Sequence, residues 1–597
     1  MSDSGMRDSF HQMQVQLPDR LRRLLGAHGY LVLGSIIVGV MAALAAAVLK
    51  NLLDLVRGLP HHFLQVSTYR TLYFILPVSG ILLTVLIVRL FFKGHLDKGL
   101  GHLLFTISKK SSVIDRKGMY SHVITSGITV GLGGSAGLEA PIVLTGSAMG
   151  SNLAGWMRLG YNERTLLLAC GAAAGISAIF NSPIAGVLFA IEVLLADISL
   201  PLFIPLLIST ATSSIISKVL YSGQLFHLIT TQWYLDAIPF YILLGILSGL
   251  VSVYMTRVAL FTETFLESRK STWLKAVAGG LTLGFMILLL PPLFGEGYDS
   301  ITEMFRGRYI TLVADSPFAS LVSGGWTLVL FATVLVLIKP FAYAVTLGSG
   351  GNGGIFAPSL FTGALLGFAV SYSVNLLGIE TLHVTNFVAV GMAGIMAGVI
   401  HAPLTAIFLI AEITGGYVLF VPLMIVSATS FFISRYFEPY SFYSRKLAND
   451  GLLDPSDKER NILNQLQLSE LMETDFIVLR ITDPIDSLVE AFKTSNRNIF
   501  PVVDEHGMFA GIIRLQEVKE LLLQPERHRG MSVADVTRTD IPTIDLTEDT
   551  FLAVKKFEQS DQWNIPVVSG GKYEGFISRS NLFSHYRRII KRSSSMA

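Results

Sequence analysis

A fourteen-residue phrase, G-x-x-A-P-x-x-x-T-G-x-x-x-G, is written twice in this chain: from Gly137 through Glu139, Ala140 and Pro141 to Gly150, and from Gly354 through Ile355, Phe356 and Pro358 to Gly367. A second phrase repeats after it, from Gly171 to Pro183 and on to Glu192, and from Gly391 to Pro403 and on to Glu412. The paired prolines lie 217 and 220 residues apart, in the same order, which predicts a duplicated unit of about 200 residues. Gly and Pro breaks at matching positions of two apolar halves point to discontinuous membrane helices that meet at a binding site, and such halves are commonly inverted. The chain therefore reads as a membrane permeation protein.

Composition supports a bilayer. Hydrophobic residues make up 51% of the chain, charged residues only 15%, and the mean hydropathy of +0.57 includes a polar C-terminal part. Apolar runs at Tyr30–Leu49, Thr71–Val88, Ala237–Met255, Ala276–Leu293 and Leu321–Ile338 are each near the roughly 20 residues that a hydrocarbon core requires. A net charge of +2 without a basic, aromatic-rich stripe excludes nucleic acid as a partner. The single cysteine, Cys170, excludes an intrachain disulfide and a cysteine-rich zinc site. Arg7, Arg20, Arg22 and Arg23 precede the first apolar run, which is too long for a signal-peptide core; this predicts an uncleaved, cytoplasmic N-terminus.

Polarity rises sharply after Tyr443, and nothing beyond is apolar enough to span a membrane. A smaller repeat appears there: Phe500–Asp504 with Gly511–Ile513 is answered by Ile565–Val568 with Gly575–Ile577. Each copy reads as strand, amphipathic helix, Pro-Val-Val strand, turn, Gly-led strand and helix. The expected divisions are 1–27, a cytoplasmic segment; 28–443, a membrane domain with repeats at about 28–222 and 236–443; 444–466, a linker; 467–526 and 527–590, two small modules; and 591–597, a tail.

Gly131–Gly137 and Gly348–Gly354 each run into a proline-containing helix start. Helix N-termini carry about half a positive charge and free N–H groups, so two of them facing one another would strip and hold a small anion without a fixed cation. Close packing is the alternative use of such glycines. Glu139 occupies the first copy where the second has Phe356. An ionisable group at membrane depth costs about 2.5–3.5 kcal/mol and marks function by default. Its carboxylate is a tethered anion that could fill the site and leave it on protonation, or it could merely cap its own helix.

Together, Gly137–Pro141, Gly354–Pro358, Phe180–Pro183 through Glu192, and Tyr443 ahead of the small repeat resemble the CLC chloride channels and chloride/proton exchangers, and the tail resembles a CBS pair. The resemblance implies a polytopic all-α membrane fold with a duplicated, inverted repeat and broken helices, followed by a cytoplasmic α/β CBS pair. It implies a homodimer with one pore per subunit, in contact with chloride or a similar anion, with protons and with the bilayer. By position it makes Glu139 the gating glutamate and places Gly137, Leu138, Ala140, Ile355 and Phe356 around the anion, closed from the inside by Tyr443.

Departures from the family pattern matter equally. Lys98–Leu103 stands where a G-S-G-I-P segment is expected, so Leu100 replaces the pore serine and the preferred anion is open. Val193 follows Glu192 where many coupled exchangers have a second acid, which favours channel-like or weakly coupled conduction over tight exchange. The repeated Glu192 and Glu412 read as structural partners at helix ends. No cofactor is required. The nucleotide fingerprint of CBS modules is complete only in the second copy, at Gly575, Ser578 and Asn581, against Gly511 and Arg514 in the first; a nucleotide sensor and a purely structural tail fit equally. A membrane receptor without flux is the rival from another class; an intramembrane enzyme would need a metal-ligand or nucleophile constellation, and no H-E-x-x-H motif is present.

Overall fold

The computed structural model describes residues 3–63, 69–94, 96–195, 200–221, 230–269, 271–322, 324–449, 466, 468–522, 524, 526, 530–548, 550–560 and 562–594. Most of the expected 444–466 linker, the start of the 1–27 segment and the end of the 591–597 tail lie outside them. The chain divides into two compact units, Met1–Leu453 and Asp454–Ala597.

The first unit is helical: α1 (Asp3–Phe63), α2 (Tyr69–Phe91), α3 (Leu100–Lys109), α4 (Gly118–Gly131), α5 (Glu139–Trp156), α6 (Tyr161–Phe180), α7 (Pro183–Phe189), α8 (Leu200–Leu220), α9 (Ile238–Glu267), α10 (Thr272–Leu289), α11 (Tyr298–Phe305), α12 (Thr311–Ala314), α13 (Gly325–Gly348), α14 (Phe356–Leu377), α15 (Val384–Ile400), α16 (Pro403–Ile413), α17 (Phe420–Phe437) and α18 (Phe442–Asn449). Among the described residues, nine helices have the length and apolarity to cross a membrane. Inside α1 the helix kinks at Gly26, which takes φ 66°. The Ala276–Leu293 run stops early as a helix, because Pro291 and Pro292 form a separate turn. The unit also continues past Tyr443, since α18 packs on α3 and α15 despite its polar sequence.

The second half of the duplicated phrase serves packing. A Cβ at Gly146 or Gly150 would stand 2.1 or 2.0 Å from the Gly171 or Leu167 carbonyl of α6, and at Gly363 or Gly367 2.2 or 2.0 Å from the Gly391 or Phe387 carbonyl of α15. Helix backbones thus touch directly in both halves. In lipid, where apolar burial gives no drive, this close van der Waals contact is what holds helices together.

The second unit holds two sheets, built from β1 (Met472–Glu473), β2 (Leu479–Arg480), β3 (Ile499–Val503), β4 (Phe509–Arg514), β5 (Ile544–Asp545), β6 (Asn564–Ser569) and β7 (Lys572–Ser578). Their orders are β2-β3-β4 and β1-β7-β6-β5. Each Pro-Val-Val strand pairs parallel with the strand before it and antiparallel with the strand after it, with a register shift at the second Val of each copy. The expected 526/527 division parts the sequence but not the sheets. β1 pairs with β7, and Leu468 and Leu471 sit in the core of the second module.

Candidate functional site

Both Gly-rich loops end at a helix start: α5 begins at Glu139 and α14 at Phe356, with Pro141 and Pro358 in their first turns. The loops meet as one antiparallel bridge in which Gly137 N–H donates to the Gly354 carbonyl and Gly354 N–H to the Gly137 carbonyl, both at 2.8 Å. This reciprocal pair fixes the two helix starts against each other. A Cβ at Gly137 would lie 2.9 Å from the Ala357 methyl, and one at Gly354 2.7 Å from the Ala140 methyl, so neither position tolerates a side chain. The N–H groups of each first turn have no partner within their own helix.

The contents of the two sides differ. Glu139 is 1% exposed and turns its carboxylate back over Gly137, where Oε2 would stand 2.0 Å from a Cβ, beside the Ala357 N–H of the opposite helix. The Tyr298 hydroxyl donates to Oε1, while Oε2 is buried without a hydrogen-bond partner. Phe356 instead stacks on Phe180 at 5.4 Å and meets Phe189 edge-on at 6.5 Å. Leu138, Ala140 and Ile355 are buried in the same core.

Leu100 opens α3 after Gly99 at φ 78°, so a third helix start lies here. Its neighbour Gly101 packs against the Tyr443 carbonyl, which brings Leu100 and Tyr443 together. Tyr443 is buried, its hydroxyl has no hydrogen-bond partner, and it interacts electrostatically with Glu139. Lys98 donates to the Gly350 and Gly351 carbonyls at 2.8 Å each, tying this turn to the second Gly-rich loop.

Glu192 and Glu412 exchange caps between the halves. Glu192 accepts from Leu404 N–H (3.0 Å), Thr405 N–H (2.7 Å) and the Thr405 hydroxyl (2.6 Å) at the start of α16. Glu412 accepts from Ile184 N–H (3.1 Å) and Ala185 N–H (3.0 Å) at the start of α7. Carboxylates at helix N-termini satisfy orphan donors and the helix dipole together. Val193 lies in the wider π-helical turn Ala190–Leu194 after α7, packed on the main core.

In the second unit, the fingerprint atoms are bonded within the fold. The Ser578 hydroxyl donates to Glu473 Oε1 at 2.6 Å, Asn581 Nδ2 donates to the Leu471 carbonyl at 2.9 Å, and Gly575 is packed against the Glu473 carbonyl.

Sequence reasoning missed Tyr298, Phe189 and Lys98 as neighbours of the site. For Tyr298 a signal existed: Pro291-Pro292 followed by Gly295-Glu296-Gly297 marks a third backbone break in apolar sequence.

Comparison with known proteins settles the family. Residues 80–435 match the model for the voltage gated chloride channel family. The chain belongs to that family. Residues 468–524 and 533–588 match CBS domains. The putative chloride channel protein ClcB-like of Ralstonia nicotianae is 29% identical over 63% of this chain and 85% of its own length. The H(+)/Cl(-) exchange transporter ClcA of Vibrio cholerae is 30% identical over 53% of this chain and 66% of its own. In fold, the chain is similar to a eukaryotic CLC transporter over 95% of this chain and 98% of that one, at 19% identity and a TM-score of 0.59. This CLC protein is therefore an integral membrane member of an anion-transporting family, with two CBS modules at its C-terminal end.

Proposed function

We propose that the protein moves chloride or a chloride-like anion across a membrane, between the N-termini of α5 and α14, with Glu139 as gate. The observation that carries this reading is the Gly137–Gly354 bridge, which holds two helix starts together with a carboxylate oxygen of Glu139 unpartnered beside them. A tethered carboxylate lying against the N–H groups that suit an anion competes with that anion. Protonation or displacement vacates the place. Phe356, Ile355, Leu138, Ala140 and Gly137 form the apolar and backbone wall, and the Tyr443 hydroxyl supplies a donor from the other side. Leu100, with no hydrogen to give, supports a selectivity set by backbone N–H groups.

Val193 in place of an acid supports channel-like or weakly proton-coupled conduction. Tight exchange is the second reading, favoured by the buried, proton-accepting Glu139 itself. The polypeptide ends are assigned to the cytoplasm and the subunits to a homodimer. For the CBS pair we favour a structural role, because an adenine nucleotide would have to displace the Ser578–Glu473 bond and lie beside the Glu473 carboxylate.

Purified protein in liposomes, loaded with chloride and assayed for anion efflux and for proton movement, tests the function. Efflux that drives protons uphill establishes exchange; a reversal potential indifferent to the pH gradient establishes a channel. No efflux under any gradient overturns the proposal.

A further inference from the structure

Glu139 does not reach its place unaided. We propose that Tyr298 is a positioning residue for it: the phenol latches the carboxylate across the two helix starts, and so sets how readily the carboxyl yields to an anion or takes up a proton. The inference rests on the reading of Glu139 as gate.

Three observations support it. Tyr298 opens α11, is 7% exposed, and donates its hydroxyl to Glu139 Oε1, while Oε2 has no hydrogen-bond partner. The phenol therefore supplies the side-chain donor that orients the carboxylate. A hydrogen bond of this kind is charge-assisted, stronger in a buried setting, and at full strength only while the carboxyl is anionic.

The turn that carries Tyr298 is also fastened to the loop that carries Glu139. Gly295 N–H donates to the Gly133 carbonyl at 3.3 Å, and the Phe294 ring occupies the space a Cβ at Gly133 would need. Lys339 donates to the Gly295 carbonyl at 3.0 Å and sits 4.8 Å over the Phe361 ring. Buried Glu296 pairs with Arg57 of α1. Gly297, at φ 90° with the Phe361 ring 2.4 Å from any Cβ, admits only glycine and turns the chain so that Tyr298 faces inward. A phenol held by this many contacts is pre-organised, so little ordering is lost when it binds the carboxylate.

The latch also touches the wall of the site. The Tyr298 ring meets Phe180 edge-on at 6.5 Å, and Phe180 stacks on Phe356. The groups facing Glu139 are Tyr298 from α11, Glu296 from the preceding turn and Tyr443 from α18; Arg57 and Lys339 face Glu296 in turn, and Asp299 and Asp54 face Arg57. Of these side chains, Tyr298 is the one that hydrogen-bonds the carboxylate.

Infrared titration of the full-length protein in lipid tests the latch without relying on transport, through the protonated-carboxyl band that disappears in Glu139→Gln. In Tyr298→Phe, the loss of a donor to the anion shifts the midpoint of that band upward by about one pH unit. Site-specific 3,5-difluorotyrosine at 298 keeps the shape, strengthens the donor and shifts it downward, so a failure of Tyr298→Phe to fold does not end the test. An unmoved midpoint in both variants overturns the latch. Flux gives the second reading. Tyr298→Phe raises anion efflux at neutral pH severalfold when Glu139 is present and leaves it unchanged in the Glu139→Gln background; equal effects in both backgrounds reduce Tyr298 to packing and overturn the proposal. Wild-type protein without efflux overturns the transport reading instead, and the infrared result still decides the latch.

Discussion

The two Gly-rich loops have nearly the same grammar and opposite contents. At the first, α5 starts with a carboxylate that folds back over Gly137 and is held by Tyr298; at the second, α14 starts with Phe356, stacked in an aromatic wall. The backbone bonds between them are reciprocal and equal in length. Duplication therefore built a symmetric frame, and divergence at one side chain made its two sides chemically distinct. A frame can be symmetric because hydrogen-bond geometry is local; a gate cannot, because it needs a charge on one side that can come and go.

The largest expected effect breaks the comparison directly. Glu139→Gln removes the tethered charge while keeping its shape, and loss of one charge-assisted bond, about 1.5–3 kcal/mol, corresponds to roughly a 10–100-fold change in occupancy of the site. Anion efflux from liposomes should rise accordingly and lose its dependence on pH. A pH response that persists in this variant would place the gate elsewhere.

Next, Gly137→Ala and Gly354→Ala sharpen the comparison. Both add a methyl where the opposite helix leaves no room, at 2.9 and 2.7 Å from the facing alanine methyls, and each should lower stability by about 1–3 kcal/mol in thermal unfolding. Only the Gly137 methyl also meets the Glu139 carboxylate. It should change the pH profile of efflux, and Gly354→Ala should not.

Smaller and more even effects belong to the capping pair. Glu192→Gln and Glu412→Gln each weaken bonds to two backbone N–H groups across the halves, with a cost of about 1–2 kcal/mol apiece in thermal unfolding. Glu192→Gln is expected to cost slightly more, since Glu192 also accepts from the Thr405 hydroxyl. Efflux that changes its proton coupling in either variant would show that the caps do more than hold helices.

The smallest effect lies in the tail, where a second duplication has diverged. Exposed Asp475 is hydrogen-bonded by Arg497, which holds its carboxyl below the ordinary carboxylate range. A depressed carboxyl adds stability above its unfolded value and loses it as pH falls through the lower folded value. The tail's unfolding temperature should therefore drop slightly on strong acidification, less so at high salt, and part of that drop should vanish in Arg497→Met.

Much of the molecule was legible from spacing alone. The repeated prolines and glycines located α5 and α14 at their starts, because proline in a first turn and glycine at a close crossing are demands of backbone geometry that few other residues meet. The Pro-Val-Val repeats likewise located β3 and β6. What spacing does not carry is partnership between distant segments. Tyr298 lies 159 residues from Glu139, β1 joins a sheet more than a hundred residues further along, and Glu192 caps a helix in the other half. By itself the sequence determined a duplicated membrane fold with one charged departure from symmetry, since helix breaks and apolar length are local properties. Only the tertiary structure decided which donor holds that charge and which atoms it faces, because a hydrogen bond between remote residues depends on where packing brings them.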